Sequence, residues 1–222
     1  MFQRLATFGA LCLGASLASA VPVSSFGDLP EGWDVGDGQP NGGFAISSNT
    51  APPVRLALRS QDHTVGISAN NGVSTYYVSA GERSPGSGLS NWNLDLSVNT
   101  FEAAITPNFD VFLDIDWNPG VGVNLVSYDI DELLAVVDPL ANLYQASENL
   151  GFSYWGQAFD PLATGTYSFT LRAYDRNSPT VLAASTSIDV VVGGGQTVPE
   201  PGSIALAGLA LAGLAATRCR RA

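Results

Sequence analysis

Apolar and polar residues alternate singly through much of this chain, and the period of two is clearest toward its end. Tyr167, Phe169, Leu171 and Ala173 alternate with Ser168, Thr170, Arg172 and Tyr174, which predicts a half-buried strand over 166–174. Asp175-Arg176-Asn177-Ser178-Pro179 then turns the chain. Leu182, Ala184, Thr186, Ile188, Val190 and Val192 make one face of a return strand over 181–192, so the two segments predict a long antiparallel hairpin. Shorter runs bounded by Gly, Asn, Ser and Pro predict further strands at 55–59, 64–69, 73–79, 92–98, 111–117, 123–130 and 152–155.

One segment carries helical spacing. Ile130, Leu133, Leu134 and Val137 fall on one face of a helix over Asp129–Tyr144, with Asp129 as cap and Pro139 as stop. The preferred reading is a strand over 123–130 that runs into a turn of helix at a sheet edge. Ala163-Thr164-Gly165-Thr166-Tyr167-Ser168-Phe169 resembles the tyrosine corner of immunoglobulin-like sandwiches, with Phe169 where those domains place a core cysteine. The expected fold class is therefore all-β, an antiparallel β-sandwich of immunoglobulin-like or jelly-roll-like form. Neither a linker nor a repeat of fixed period divides the body, which predicts one domain.

The two ends do not follow this pattern. Arg4, the apolar stretch Leu5–Leu17 and Ala18-Ser19-Ala20 have the order of a Sec signal peptide cleaved after Ala20 by signal peptidase. At the other end, Val198-Pro199-Glu200-Pro201-Gly202-Ser203 leads into the apolar run Ile204–Thr217, and Arg218-Cys219-Arg220-Arg221-Ala222 follows. Fourteen residues at about 1.5 Å each make a helix of roughly 21 Å, shorter than a hydrocarbon core of about 30 Å. The run is apolar all round, unlike the amphipathic helix of a soluble core. Arg218, Arg220 and Arg221 would hold it from the cytoplasmic side as a membrane stop. Pro199 and Pro201 keep the preceding backbone extended, in a form a protease can grip.

This tail resembles the PEP-CTERM sorting signal of Gram-negative bacteria. The resemblance implies recognition in the inner membrane by an exosortase, cleavage near Val198-Pro199-Glu200-Pro201, and only transient membrane association through the segment that follows. The expected organisation is a signal peptide (1–20), an exported sandwich (21–192), a Gly-rich tether (193–197) and the sorting signal (198–222). A short flexible tether would let the cleavage site enter a membrane protease without the domain obstructing it.

Processing changes both cysteine count and charge. Cys12 and Cys219 lie in the removed segments, so the mature body would have neither thiol nor disulfide and would rely on its core; about 175 residues suffice for one. The nine basic residues are all arginine, and four of them, Arg4, Arg218, Arg220 and Arg221, lie in the end segments. The remaining five against twenty acids leave a charge of −15 if cleavage follows Glu200. Such a field repels nucleic acid, which is excluded as a partner, and it favours cations.

Catalytic chemistry has few candidates. The single histidine, His63, lies between Asp62 and Thr64 without a Gly-x-Ser-x-Gly elbow, and it reads as a surface residue beside a turn. One histidine and no mature cysteine leave zinc only carboxylates. No catalytic residue is assigned and no cofactor is expected, with calcium as the one ion worth weighing. Asp114-Ile115-Asp116-Trp117-Asn118-Pro119-Gly120 sets the oxygens of Asp114, Asp116 and Asn118 at alternate positions, as an EF-hand loop begins, but glycine is seventh rather than sixth and the twelfth residue, Leu125, is no ligand. The same acids fit the wet face of a strand. Asp34-Val35-Gly36-Asp37-Gly38 is a second, weaker acidic loop of this kind.

The expectation is a non-enzymatic cell-surface or extracellular-matrix protein, and the resemblance extends this to exopolysaccharide and biofilm. The alternative is a carbohydrate-binding module that stacks sugars on Trp33, Trp92, Trp117, Trp155, Tyr76 and Tyr77, for which the competing role is core packing. A third is a glycan-active hydrolase with a carboxylate pair.

Overall fold

The period-two segments pair as expected and extend further than the pattern alone indicates. The computed structural model describes residues 21–35, 39–130 and 138–194. Its strands are β1 (Val23–Gly27), β2 (Phe44–Thr50), β3 (Pro53–Asp62), β4 (Gly66–Ile67), β5 (Ala69–Asn70), β6 (Thr75–Val78), β7 (Trp92–Asn99), β8 (Phe109–Asp116), β9 (Leu125–Asp129), β10 (Leu143–Glu148), β11 (Gly165–Asp175) and β12 (Leu182–Val192). A one-turn helix α1 (Ile105–Asn108) precedes β8, and a 3-10 turn spans Ser153–Trp155. One sheet runs β1-β2-β3-β7-β10 with β4 beside β3; the other runs β5-β6-β12-β11-β8-β9. Pairing is antiparallel throughout except between β6 and β12, which are parallel. The two sheets face each other as an all-β sandwich.

The core fills the space between them. Leu56, Leu58, Trp92, Leu94, Leu96 and Val98 from the first sheet meet Leu113, Ile115, Phe169, Leu171, Ile188 and Val190 from the second. Phe169 is fully buried and stands edge-on to Trp92 at 6.3 Å, and Tyr167 packs on the same indole at 6.0 Å. Ring pairs of this geometry add about 0.5–1.5 kcal/mol beyond their area. The hairpin β11–β12 is in register from Gly165↔Val192 to Ala173↔Ala184, then shifts so that Tyr174 faces Leu182. That bulge inserts Ala183, which is buried, and swings Leu182 into solvent, off the face its alternation assigns it.

Several expectations are corrected. Residues 152–155 form a 3-10 turn and not a strand, closed by Gly156 in the left-handed region (φ 67°). The segment 64–69 is broken: β4 pairs with β3 in one sheet, and β5 pairs with β6 in the other, so the chain changes sheets there. The strand over 123–130 is β9, and the helical segment that follows it falls mostly at 131–137, outside the described residues. Leu143 and Tyr144, at the end of the 129–144 segment and beyond its Pro139 stop, open β10. Strands β1, β2 and β10 carry no clean alternation and were not expected.

The outer face of the first sheet is not wet. Phe44 and Ile46 on β2 and Ala57 on β3 point away from the main core, and Leu29 and Trp33 close over them as a second, smaller core. The covering chain is pinned from a distance: the Gln145 amide donates to Gly32 O at 2.8 Å, and Asp34 N donates to Gln145 Oε1 at 3.1 Å. All eight residues of β7 are buried in consequence. Arg59 and Asp95 are buried under this cover, where the guanidinium also donates to Pro40 O (2.7 Å) and Gly42 O (2.8 Å) and lies over the rings of Phe44 and Trp33.

Candidate functional site: the tail exit and the acidic loops

Strand β12 is central in its sheet, and the chain leaves the sandwich from its end. Val192 pairs with Val78, and Gly193 N donates to Val78 O at 2.9 Å. Gly193 adopts φ 73°, and a Cβ there would sit 2.6 Å from Thr164 Cγ2, so glycine alone fits. Gly193 and Gly194 form one wall of an open groove of about 450 Å³ that Asp62, Val65, Tyr77 and Ala80 also line. The remaining tether, the motif Val198, Pro199, Glu200 and Pro201, the arginines at 218, 220 and 221, and the Ala18 and Ala20 cleavage signal all lie outside the described residues. Among the described residues no helix is long and apolar enough to cross a membrane.

The calcium candidates are adjacent but already engaged. Asp114 lies on the outer face of β8, across from Thr170 of β11 and diagonal to Arg172, whose Nε and Nη2 donate to its two oxygens at 2.5 and 2.7 Å. The guanidinium also donates to Tyr174 OH at 2.8 Å, and the Asp114 carboxylate holds the Arg172 pKa above its ordinary value. Asp116 Oδ1 accepts from the backbone amides of Asn118 (3.1 Å) and Asn124 (2.8 Å). Asn118 Oδ1 accepts from Gly120 N, and its amide donates to Val121 O. These contacts close the 117–124 loop and fix Asp114 to a neighbouring strand. Among the described residues no three His, Cys, Asp or Glu side chains converge as a metal site needs. Three of the five residues of the Asp34–Gly38 loop, 36–38, lie outside the described residues.

His63 is tied to the end of the first sheet. Its backbone N–H donates to Asn91 O, and Nε2 is 3.1 Å from Asn93 Oδ1. Burial and the nearby Arg83 charge lower its pKa from 6.5. Asn149 is the hub behind it, donating to Ser90 O, Trp92 O and Asn93 Oδ1 and accepting from Ser90 N and Gly151 N.

The aromatic platform expected for sugar stacking does not exist in that form. Trp33, Trp92, Trp117, Trp155 and Tyr76 are all buried, and Tyr77 is half-buried. Trp117, Tyr128 and Trp155 stack edge to face with centroids 4.8–6.4 Å apart, and Trp155 Nε1 donates to Asn149 O. Tyr76 OH donates to Gly43 O at 2.5 Å beneath the covering segment. The five buried rings build the two cores: Trp92 and Tyr76 enter from strands, while loop and turn segments carry Trp33, Trp117 and Trp155 inward.

What the geometry defines is an acidic β-sandwich whose last strand, central in its sheet, ends at Val192. Residues 197–221 match the PEP-CTERM protein-sorting motif, so the chain carries that motif and is targeted to exosortase for export to the surface or exterior. No curated protein matches the sequence.

Proposed function

We propose that this chain is a non-enzymatic structural component of the cell surface or extracellular matrix, exported with a cleaved signal peptide and released from its tail by exosortase. The observation that carries the reading is the sorting motif at residues 197–221, placed directly after a central strand that ends at Val192. The body supports it through the use of its polar groups. Asp62, Glu82, Asp116 and Asp160 each accept from backbone amides of their own loops, and Asp95, Asp110 and Asp114 are paired with arginines. Such groups serve the architecture rather than a reaction. An acidic domain without disulfides, facing a polysaccharide-rich exterior, fits a matrix component better than a nucleic-acid or zinc protein.

The test is processing in the native host. Mass spectrometry of the surface fraction is expected to find a protein that starts at Val21 and lacks Ile204–Ala222. Replacing Pro199, Glu200 and Pro201 by alanine is expected to trap a longer, membrane-held form. An intact C-terminus in the mature surface fraction would overturn the reading. A glycan array probed with the mature protein tests the matrix role separately.

A further inference from the structure

We infer that the end of the sandwich from which the tail leaves is a membrane-facing surface, which rests its apolar loops on the lipid leaflet while the tail is still attached. The inference depends on the reading of the tail as a membrane-held sorting signal. Residues 193–203 are the only chain between Val192 and the apolar run that begins at Ile204. Eleven residues span at most about 40 Å even when fully extended. This end of the body is therefore confined near the membrane surface. The far end lies another length of β12 away, about 35 Å for its eleven residues.

Three loops at the confined end share one construction. Asp62 Oδ1 accepts from Thr64 N, and Val65 beyond it is 73% exposed. Asp116 Oδ1 accepts from Asn118 N and Asn124 N, and between them Val121 projects fully into solvent and Val123 largely so, followed by exposed Leu125. Asp160 Oδ1 accepts from Leu162 N, and Leu162 is exposed in turn. The loops are held together: Gly81 N donates to Pro161 O, Thr166 N donates to Pro119 O, and Val65 shares a groove with Gly193 and Gly194. In each loop the carboxylate turns inward onto an amide and an aliphatic side chain turns outward. Backbone amides that are already satisfied are what allow a loop to enter an apolar interface at low cost.

Aliphatic residues are exposed away from this end as well, Val73 beside Ser185 and Ser187 at the middle of β12 and Leu140 at the far end. The tether is what selects between the ends. Charge selects the lipid: a body with many more acids than arginines is repelled by anionic headgroups, so the surface suits a zwitterionic leaflet and contacts it through apolar side chains.

The experiment uses the full chain produced in a host without exosortase, purified from membranes with its tail retained, and reconstituted on phosphatidylcholine vesicles. In a Cys12→Ser, Cys219→Ser background, single Val121→Cys and Leu162→Cys variants carry an environment-sensitive fluorophore, with Val73→Cys at mid-strand and Leu140→Cys at the far end as controls. Emission at 121 and 162 is expected to shift to shorter wavelength and to be quenched by brominated lipid. Emission at 73 and 140 is expected to stay water-like, and raising the salt should leave the near-end shift in place. Protein that floats with the vesicles but stays water-like at 121 and 162 overturns the docking surface alone. Equal shifts at both ends overturn it as well. Protein that does not float overturns the reading of the tail, and the docking surface with it.

Discussion

Arg59 and Asp95 face each other across β3 and β7 with Nε 2.7 Å from Oδ2, and neither side chain reaches solvent. Burial pushes the Asp95 carboxyl above its ordinary range, while Arg59 and the Ser147 hydroxyl opposite it pull it back. A pair so placed is tightly coupled to the covering segment, because Arg59 also donates to Pro40 and Gly42.

The first prediction follows from that coupling. Asp95→Ala leaves an unpaired guanidinium under the cover and is expected to cost about 3–5 kcal/mol in urea unfolding. Replacing both partners by apolar residues of similar volume, Arg59→Met with Asp95→Leu, is expected to cost much less than either single change. Equal losses in the double and single variants would show that the pair itself is not the source.

The core makes a second prediction. Phe169 is fully buried against Trp92, so Phe169→Ala is expected to cost about 3–5 kcal/mol through lost burial and a residual cavity. Thr170 sits next along β11 on the outer face, and Thr170→Ala is expected to change the melt little.

Ions give a third. With Asp114 bidentate to Arg172 and Asp116 closing the 117–124 loop, calcium and sodium at matched ionic strength are expected to shift the melting temperature alike. A rise peculiar to calcium, lost in Asp116→Asn, would show that these residues open to bind it. Asp116→Ala is expected to lose about 1–2 kcal/mol through the two loop hydrogen bonds it removes, whether or not calcium is present.

The fourth concerns pH. The His63 pKa is lower in the folded protein than its ordinary 6.5, so the unfolded chain takes the proton first as pH falls. The histidine's contribution to stability is therefore complete above 6.5 and is lost as pH drops through the folded value. The His63→Gln variant is expected to flatten the slope of unfolding free energy in that window, and an unchanged slope would count against it.

The exit geometry gives the last. Gly193→Ala meets Thr164 and needs a left-handed backbone, so it is expected to destabilise by about 1–3 kcal/mol and to loosen the end of β12 in hydrogen exchange. Gly194→Ala meets only the Val191 side chain and is expected to cost less.

Much of this protein is written locally. Tyr167, Phe169, Leu171 and Ala173 declare their strand because a period of two is a property of neighbouring residues, and Gly165 and Asp175 bound it as the turn composition suggests. The tail is equally local, since a proline pair, an apolar run and an arginine cluster are contiguous. What the sequence could not show is which faces are covered. Asn93, Asp95, Ser97 and Asn99 alternate with apolar residues as a wet face should, yet all are buried, because Gly32 and Asp34 are held on that face by Gln145, more than a hundred residues away. The signal available was faint: Phe44 and Ile46 on one side of β2 are too apolar for solvent. The same distance effect placed the tryptophans in the core, paired Asp114 with Arg172, and set the Val121 loop beside the tail exit. The period of a strand is fixed by adjacent residues, whereas burial and pairing are fixed by whatever distant chain packs against it.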